Sequence, residues 1–178
     1  MYERIPKETE TLASEMVKGA LAGAVGVWAM DQVGWAMYNR EDPAALEQEL
    51  EARVEGKDPA HVAAGKMADM VGVTLTPEQP HPAGIGVHYA LGVVPGAAYG
   101  VLRHRVPELT AGRGLLYGLG LFLVQDEGLA PALGLASGPT QYPWQAHARG
   151  LISHLVLGAV TDAVLNILDE VQISAADE

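Results

Sequence analysis

Four stretches of this chain are almost free of charge: residues 19–38, 84–102, 114–136 and 150–168. They are 20, 19, 23 and 19 residues long. An α-helix needs about 20 predominantly apolar residues to cross a hydrocarbon core. The second stretch holds no Asp, Glu, Lys or Arg at all; Asp31, the pair Asp126 and Glu127, and Asp162 interrupt the other three. The remaining charge collects between them, above all in residues 39–80, which hold four basic and nine acidic groups. This segregation predicts an all-α fold: a four-span transmembrane helix bundle with an acidic, partly helical outer loop. The chain reads as a single membrane domain, residues 1–178, with spans at about 17–38, 84–103, 114–136 and 149–168 and an extramembrane loop at 39–83.

Glycine bears on the same choice. The chain has 21 Gly in 178 residues. Each glycine costs a water-exposed helix about 1 kcal/mol relative to alanine, whereas in lipid small residues let helix backbones approach closely. Gly19 and Gly23, Gly92, Gly96 and Gly100, and Gly114 and Gly118 repeat the small-xxx-small spacing inside the apolar stretches. A soluble helical domain with glycine-rich core helices is the alternative. A cleaved signal peptide would need a basic start, and the region before the first stretch is acidic on balance.

Charge and cysteine content exclude several functions. Eleven Lys+Arg against 22 Asp+Glu leave a net charge of −11, which argues against a nucleic-acid surface. Without cysteine there is no disulfide, no thiolate metal site and no thiol nucleophile. No P-loop, HExxH or GxSxG motif occurs.

Topology follows from the short connections. Arg103, Arg105 and Arg113 fall within eleven residues, which places that connection, and with it Arg4, Lys7, Lys18 and the C-terminus, on the cytoplasmic side. The loops 39–83 and 137–149 then face outward. In the first of them, 43–56 and 59–72 carry helical patterns, and Asp58-Pro59 reads as a cap followed by a first-turn proline. Pro77, Pro80 and Pro82 lead into the second span. Tyr142, Pro143 and Trp144 suit the outer interface. Pro95 and Pro131 interrupt two spans. His61, His81, His104 and His147 read as solvated loop residues, with His147 in reach of His154, and Met67 and Met70 as the apolar face of a loop helix.

At 1.5 Å of rise per residue, Asp31, His88, Asp126, Glu127 and His154 all fall in the outer half of the membrane. They lie on the same i, i+4 stripes as the glycines, so they belong to packing faces, where intramembrane charge is expected. Neighbouring carboxylates such as Asp126 and Glu127 need a metal ion, a histidinium or a proton beside them in low dielectric. His88, Asp126, Glu127, His154 and Asp31 are therefore candidate ligands for a divalent metal ion. The same groups, with Tyr89 and Asp162, suit a proton relay. A purely structural role for the histidines, holding the bundle together, stays open.

The run His88-Tyr89-Ala90-Leu91-Gly92, then Tyr99-Gly100, Asp126-Glu127, Pro131 to Leu135, Tyr142-Pro143, His147 and His154 to Gly158, resembles the YagU-like family of bacterial inner-membrane proteins. The likeness covers roughly residues 15–38 and 81–168. It implies a small multi-pass protein of the bacterial cytoplasmic membrane and supplies no enzyme activity. Its motif coincides with His88, Asp126, Glu127 and His154.

Three functions compete on the sequence. One is proton or metal-ion binding and translocation through the outer His/Asp/Glu cluster, which in so small a chain implies a homo-oligomer. The second is a non-catalytic scaffold or accessory subunit docking a larger membrane complex through its GxxxG faces. The third is a metal- or haem-binding membrane protein with His88 and His154 as axial ligands. The lipid bilayer is a partner in all three.

Overall fold

The computed structural model describes residues 11–76 and 80–176; Arg4, Lys7 and Pro77, used in the topology argument, lie outside them. The chain is all-helical, with no strand among the described residues. The main helices are α1 (Leu12–Tyr38), α2 (Pro43–Ala52), α3 (Pro59–Met70), α4 (Pro82–Leu102), α5 (Leu115–Leu121), the single turn α6 (Ala130–Ala132) and α7 (Trp144–Ala176). Short 3₁₀ turns lie at Val54–Gly56, Pro107–Thr110 and Pro139–Gln141. Two helical segments, Pro82–Leu102 and Trp144–Gln172, are long and apolar enough to cross a membrane, with mean hydropathies of 1.4 and 1.8.

Local chemistry sets the helix starts. Three of them share one device, a side-chain cap followed by a first-turn proline whose missing N–H would be unpaired there anyway. Asp42 accepts from the Ala44 and Ala45 amides at 2.8 and 3.3 Å, Asp58 from the His61 amide at 3.1 Å, and His81 Nδ1 from the Ala83 amide at 3.1 Å. Burial pushes the Asp58 carboxyl up, but hydrogen bonds from the His61 side chain and amide outweigh it and hold the group below its ordinary 3.8. Asp58 therefore stays ionised as a cap above that value and loses the cap only as pH falls through its lower folded value. Helix α5 starts differently. Gly114 has φ +83°, a left-handed geometry that glycine adopts without strain.

Glycine brings the long helices together. A Cβ on Gly96 would stand 2.6 Å from the Gly19 carbonyl oxygen and 2.9 Å from the Gly23 Cα. One on Gly23 would stand 2.7 Å from the Gly92 carbonyl. Helices α1 and α4 thus meet backbone to backbone along the glycines of both. A second such contact joins α5 to α7, where a Cβ on Gly158 would lie 2.7 Å from the Gly118 amide. On its other face α1 packs against α7, Gly26 lying on Leu157 and Thr161. These glycine faces are filled from within the chain, so a partner could dock through them only by parting α1 from α4 or α5 from α7.

The inside of the bundle mixes small, polar and a few large residues, and the outside is rich in large apolar ones. The fully buried side chains include Ala22, Val27, Tyr99 and Leu165, together with Ser153, His154, Thr161 and Asp162. Exposed instead are Leu21, Val25 and Trp28 on α1, Ile85, Leu91 and Val94 on α4, Leu116 and Leu123 in the third segment, and Ile152 and Ile167 on α7.

The third apolar stretch departs from the expected continuous helix over 114–136. After two turns of α5 the chain widens into a π-helix, Phe122–Leu129, and the helical run ends with α6 at Ala132. Pro131 is the physical cause. It has no N–H to give and its ring crowds the carbonyl four residues back. The Ala130 amide, just before it, bonds back to Gln125, five residues away. At the other extreme α7 runs for 33 residues, well past both ends of the expected span.

The connection 39–83 folds as anticipated into two short helices, but not with the expected face inward. Met67 and Met70 are 60% and 85% exposed, while α3 turns Ala60, His61, Val62 and Ala64 inward. His61 is buried against Gly84 at the start of α4 rather than solvated. Its Nε2 accepts from the His81 amide at 2.9 Å, which puts the ring proton on Nδ1, 2.7 Å from Asp58.

The glycine contact yields a sharp contrast. Gly96→Leu should cost roughly 1–3 kcal/mol or more by overpacking. Gly86 and Gly120 have nothing within 4 Å of an added Cβ, so Gly86→Ala and Gly120→Ala should leave stability unchanged or raise it. Unfolding in detergent followed by circular dichroism measures all three, and equal effects would remove the glycines from the packing account.

Candidate functional site

Each acid and histidine singled out within the apolar stretches lies near a side chain on another helical segment, whereas Tyr89 meets His88 on its own helix. His88 on α4 places Nε2 2.8 Å from Asp31 Oδ1 on α1. His154 on α7 places Nδ1 3.6 Å from Asp126 Oδ2 in the π-helical segment and 2.9 Å from the Gly150 carbonyl. His147 places Nδ1 2.6 Å from Glu127 Oε1 and Nε2 2.9 Å from the Pro139 carbonyl. His147 therefore lies in the first turns of α7, partly accessible, as a partner of Glu127 rather than of His154.

The neighbouring carboxylates are thus separated by their partners. Asp126 and Glu127 point to histidines seven residues apart, two turns along α7. Asp126 is also the electrostatic centre of the group, acting on His154, Glu127 and His88 together. His88 in turn feels both Asp31 and Asp126. Two hydrogen-bonded carboxylate–histidine pairs result, Asp31–His88 and Glu127–His147, together with a looser Asp126–His154 contact at 3.6 Å. Gln125 beside them fixes the segment to α4 by donating to the Leu91 carbonyl at 3.0 Å.

Exposure differs among these groups. The His154 side chain is 4% accessible, but those of Asp31, His88 and Asp126 are 26%, 33% and 44% accessible. The buried end and the open end of the group therefore lie on different helices. Tyr89 adjoins His88 edge to face, with ring centroids 6.0 Å apart.

The five candidate metal ligands do not converge on a point. Among the described residues no group of three or more His, Asp or Glu side chains is arranged to hold a metal ion. Each histidine spends a ring nitrogen on its own carboxylate or on a backbone carbonyl, which leaves pairs in place of a shared ligand shell.

Asp162 belongs to a separate network nearer the other end. Its Oδ1 accepts from Tyr99 at 2.7 Å and lies 3.8 Å from Arg103 Nη1, and its Oδ2 accepts from Asn166 at 3.2 Å. Arg103 also donates to Asn166, and Tyr99 stacks on Tyr117 at 4.3 Å. This carboxylate has its own guanidinium and two donors. It ties α4 to α7 as a balanced anion.

Two arginines were not expected to take part. Arg103 closes α4 and reaches inward to Asp162. Arg149, in the second turn of α7, is held by Glu41 and Glu49 and lies 5.1 Å above the Tyr38 ring. Its side chain is 12% accessible, and those of both carboxylates are 7%. With Gln48 donating to the Gln141 carbonyl and Lys66 to those of Leu133 and Gly134, it fixes the connection 39–83 across the end of the bundle that holds the histidine pairs. The opposite end closes by Lys18–Asp169 at 2.9 Å and Arg105–Glu15 at 2.8 Å. The i, i+4 relation of Asp162 to Asn166 and of Tyr99 to Arg103 was a visible signal for the inner network. The Arg149 contacts span about a hundred residues and had none.

Comparison with family models, curated proteins and solved structures finds no match.

The inner network predicts a non-additive pair of substitutions. Arg103→Met leaves Asp162 as an uncompensated buried charge and should cost about 3–5 kcal/mol. Adding Asp162→Asn should restore most of that loss. Denaturant unfolding of the two single variants and the double variant measures the coupling; simple addition of the two losses would show that the charges do not depend on each other.

Proposed function

We propose that this chain is a multi-pass protein of the bacterial cytoplasmic membrane, kin to the YagU-like proteins its motifs resemble, that binds and passes protons through its carboxylate–histidine pairs. The observation that carries the reading is the set of Asp31–His88, Asp126–His154 and Glu127–His147 contacts. Histidine titrates near neutrality, and a carboxylate beside it can take or give the same proton. The pairs are cross-helix, and among the described residues no lysine or arginine is ion-paired with their carboxylates. A permanent positive charge beside the carboxylates would hold them as anions.

The membrane setting is supported by the distribution of side chains. Large apolar residues cover the outside of all four helical segments, while glycine, alanine and polar groups make up much of the inside, beside Val27, Tyr99, Phe122, Leu157 and Leu165. An exposed carboxylate at membrane depth costs about 2.5–3.5 kcal/mol on insertion scales. The accessibility of Asp31 and Asp126 therefore argues that water reaches them from the outer face, as a proton donor to the site requires. The arginine-bearing connection 103–113 sets the cytoplasmic end, with both termini on that side. Metal binding is the second reading of the same residues, and the pairwise geometry favours it less.

In liposomes carrying an imposed pH gradient, the reconstituted protein should dissipate the gradient. Asp126→Asn should return the rate to that of empty vesicles, while Gly86→Ala should not change it. A wild-type rate that persists in Asp126→Asn would overturn the proton reading.

A further inference from the structure

A groove of about 600 Å³ lies between the end of α1 and the start of α7. It is within the roughly 300–1,000 Å³ range of small-molecule sites. Val33, Ala36 and Met37 form one wall, Trp144 and Ala148 the other, and Arg40 stands at the rim. The walls are almost wholly apolar. None of the carboxylate–histidine pairs lines it.

The charges around the groove are uneven. Arg40 is exposed and donates to the Ala36 carbonyl at 2.5 Å, and among the described residues it has no carboxylate partner. Of the acids beside it, Glu41 also lines the groove, with Oε2 on Arg149 and Oε1 buried, and Asp42 is spent on the Ala44 and Ala45 amides. The rim therefore presents a positive group with free donors above an apolar trough. Trp144, 73% exposed, sits at the same level, where aromatic rings mark the water–hydrocarbon boundary.

We infer that this groove is a binding site for an anionic phospholipid, with an acyl chain along α1 and α7 and the phosphate at Arg40. The argument is one of complementarity. An apolar trough at membrane depth accepts a hydrocarbon tail, and a guanidinium offers paired N–H donors that match phosphate oxygens. The inference rests on the membrane setting proposed above and is independent of proton transfer.

The test uses tryptophan fluorescence. Of the three tryptophans, Trp28 and Trp144 are each kept alone by replacing the other two with Phe. The proteins are reconstituted in vesicles containing brominated phosphatidylglycerol or brominated phosphatidylcholine, whose bromines quench on contact. Trp144 should be quenched at about fivefold lower mole fraction of the anionic lipid, the preference one basic group confers near a charged surface. Arg40→Gln should abolish that preference. Ala148→Leu, which narrows the trough and leaves Arg40 in place, should weaken quenching of Trp144 by both lipids. Trp28, 57% exposed in mid-helix, should be quenched equally by both.

Equal quenching of Trp144 by the two lipids, or a preference that survives Arg40→Gln, would overturn the lipid site while Trp28 still reports the membrane. A Trp144 shielded from both lipids in a dimeric protein would assign the groove to a second copy instead. Failure of both lipids to quench Trp28 would overturn the membrane setting itself.

Discussion

The backbone contact between α1 and α4 is the constraint on which the rest depends. Gly19 and Gly23 meet Gly92, Gly96 and Gly100 with no side chain between them. At that separation no large residue fits, so the apolar bulk of both helices has to point away from the contact. The same holds where Gly114 and Gly118 meet Gly158. Close glycine faces therefore leave most of the leucine, valine and tryptophan outside, with a core of glycine, alanine and polar groups and a few larger residues such as Tyr99, Phe122, Leu157 and Leu165. In water such a surface would be a liability. In a bilayer it is the natural outer face, and packing of small residues is a principal source of helix association.

Close packing also decides what the polar groups do. With little free volume inside, each acid or histidine on a packing face has to find its partner on the neighbouring helix. Asp31 finds His88 across the α1–α4 contact, and Asp162 finds Tyr99 and Arg103 between α4 and α7. The two environments then diverge. Asp162 is balanced by a permanent cation and works as a tie. Asp31, Asp126 and Glu127 have only histidines, whose charge depends on pH. The π-helical turn before Pro131 lets Asp126 and Glu127 reach two different turns of α7, and wide turns of this kind are frequent at functional sites.

Much of this was visible in the residue pattern. The glycine stripes named the packing faces, but of the groups set at i, i+4 from them His154 alone is buried, whereas Asp31 and His88 are partly accessible and Asp126 is exposed. Asp58-Pro59 announced a helix start because capping is local chemistry. What escaped was non-local. His61 and His147 sit in polar segments and looked solvated; only the folding of α3 onto Gly84 and of α7 beside the π-helix buries or pairs them. Arg103 and Arg149 adjoin apolar stretches and looked like boundary markers, whereas their side chains turn back to acids far away in the chain. Met67 and Met70 followed a helical period that α3 does not use for burial. The break at Pro131 could be suspected from proline alone, but the wide turn before it required the three-dimensional context.

The central claim is that all four helical segments, not only the two longest apolar ones, lie in hydrocarbon with their large side chains outward. The chain has no cysteine, so single spin labels can be placed without background. Cysteines at Val25, Val94, Leu123 and Ile152 each sit on an outward apolar position of a different segment. In bilayers, their collision rates with dissolved oxygen and with a water-soluble nickel chelate report the local solvent. The account predicts that oxygen dominates at all four positions. A label at Val25 or Leu123 that collides mainly with the nickel chelate would contradict it and return α1 or the π-helical segment to water.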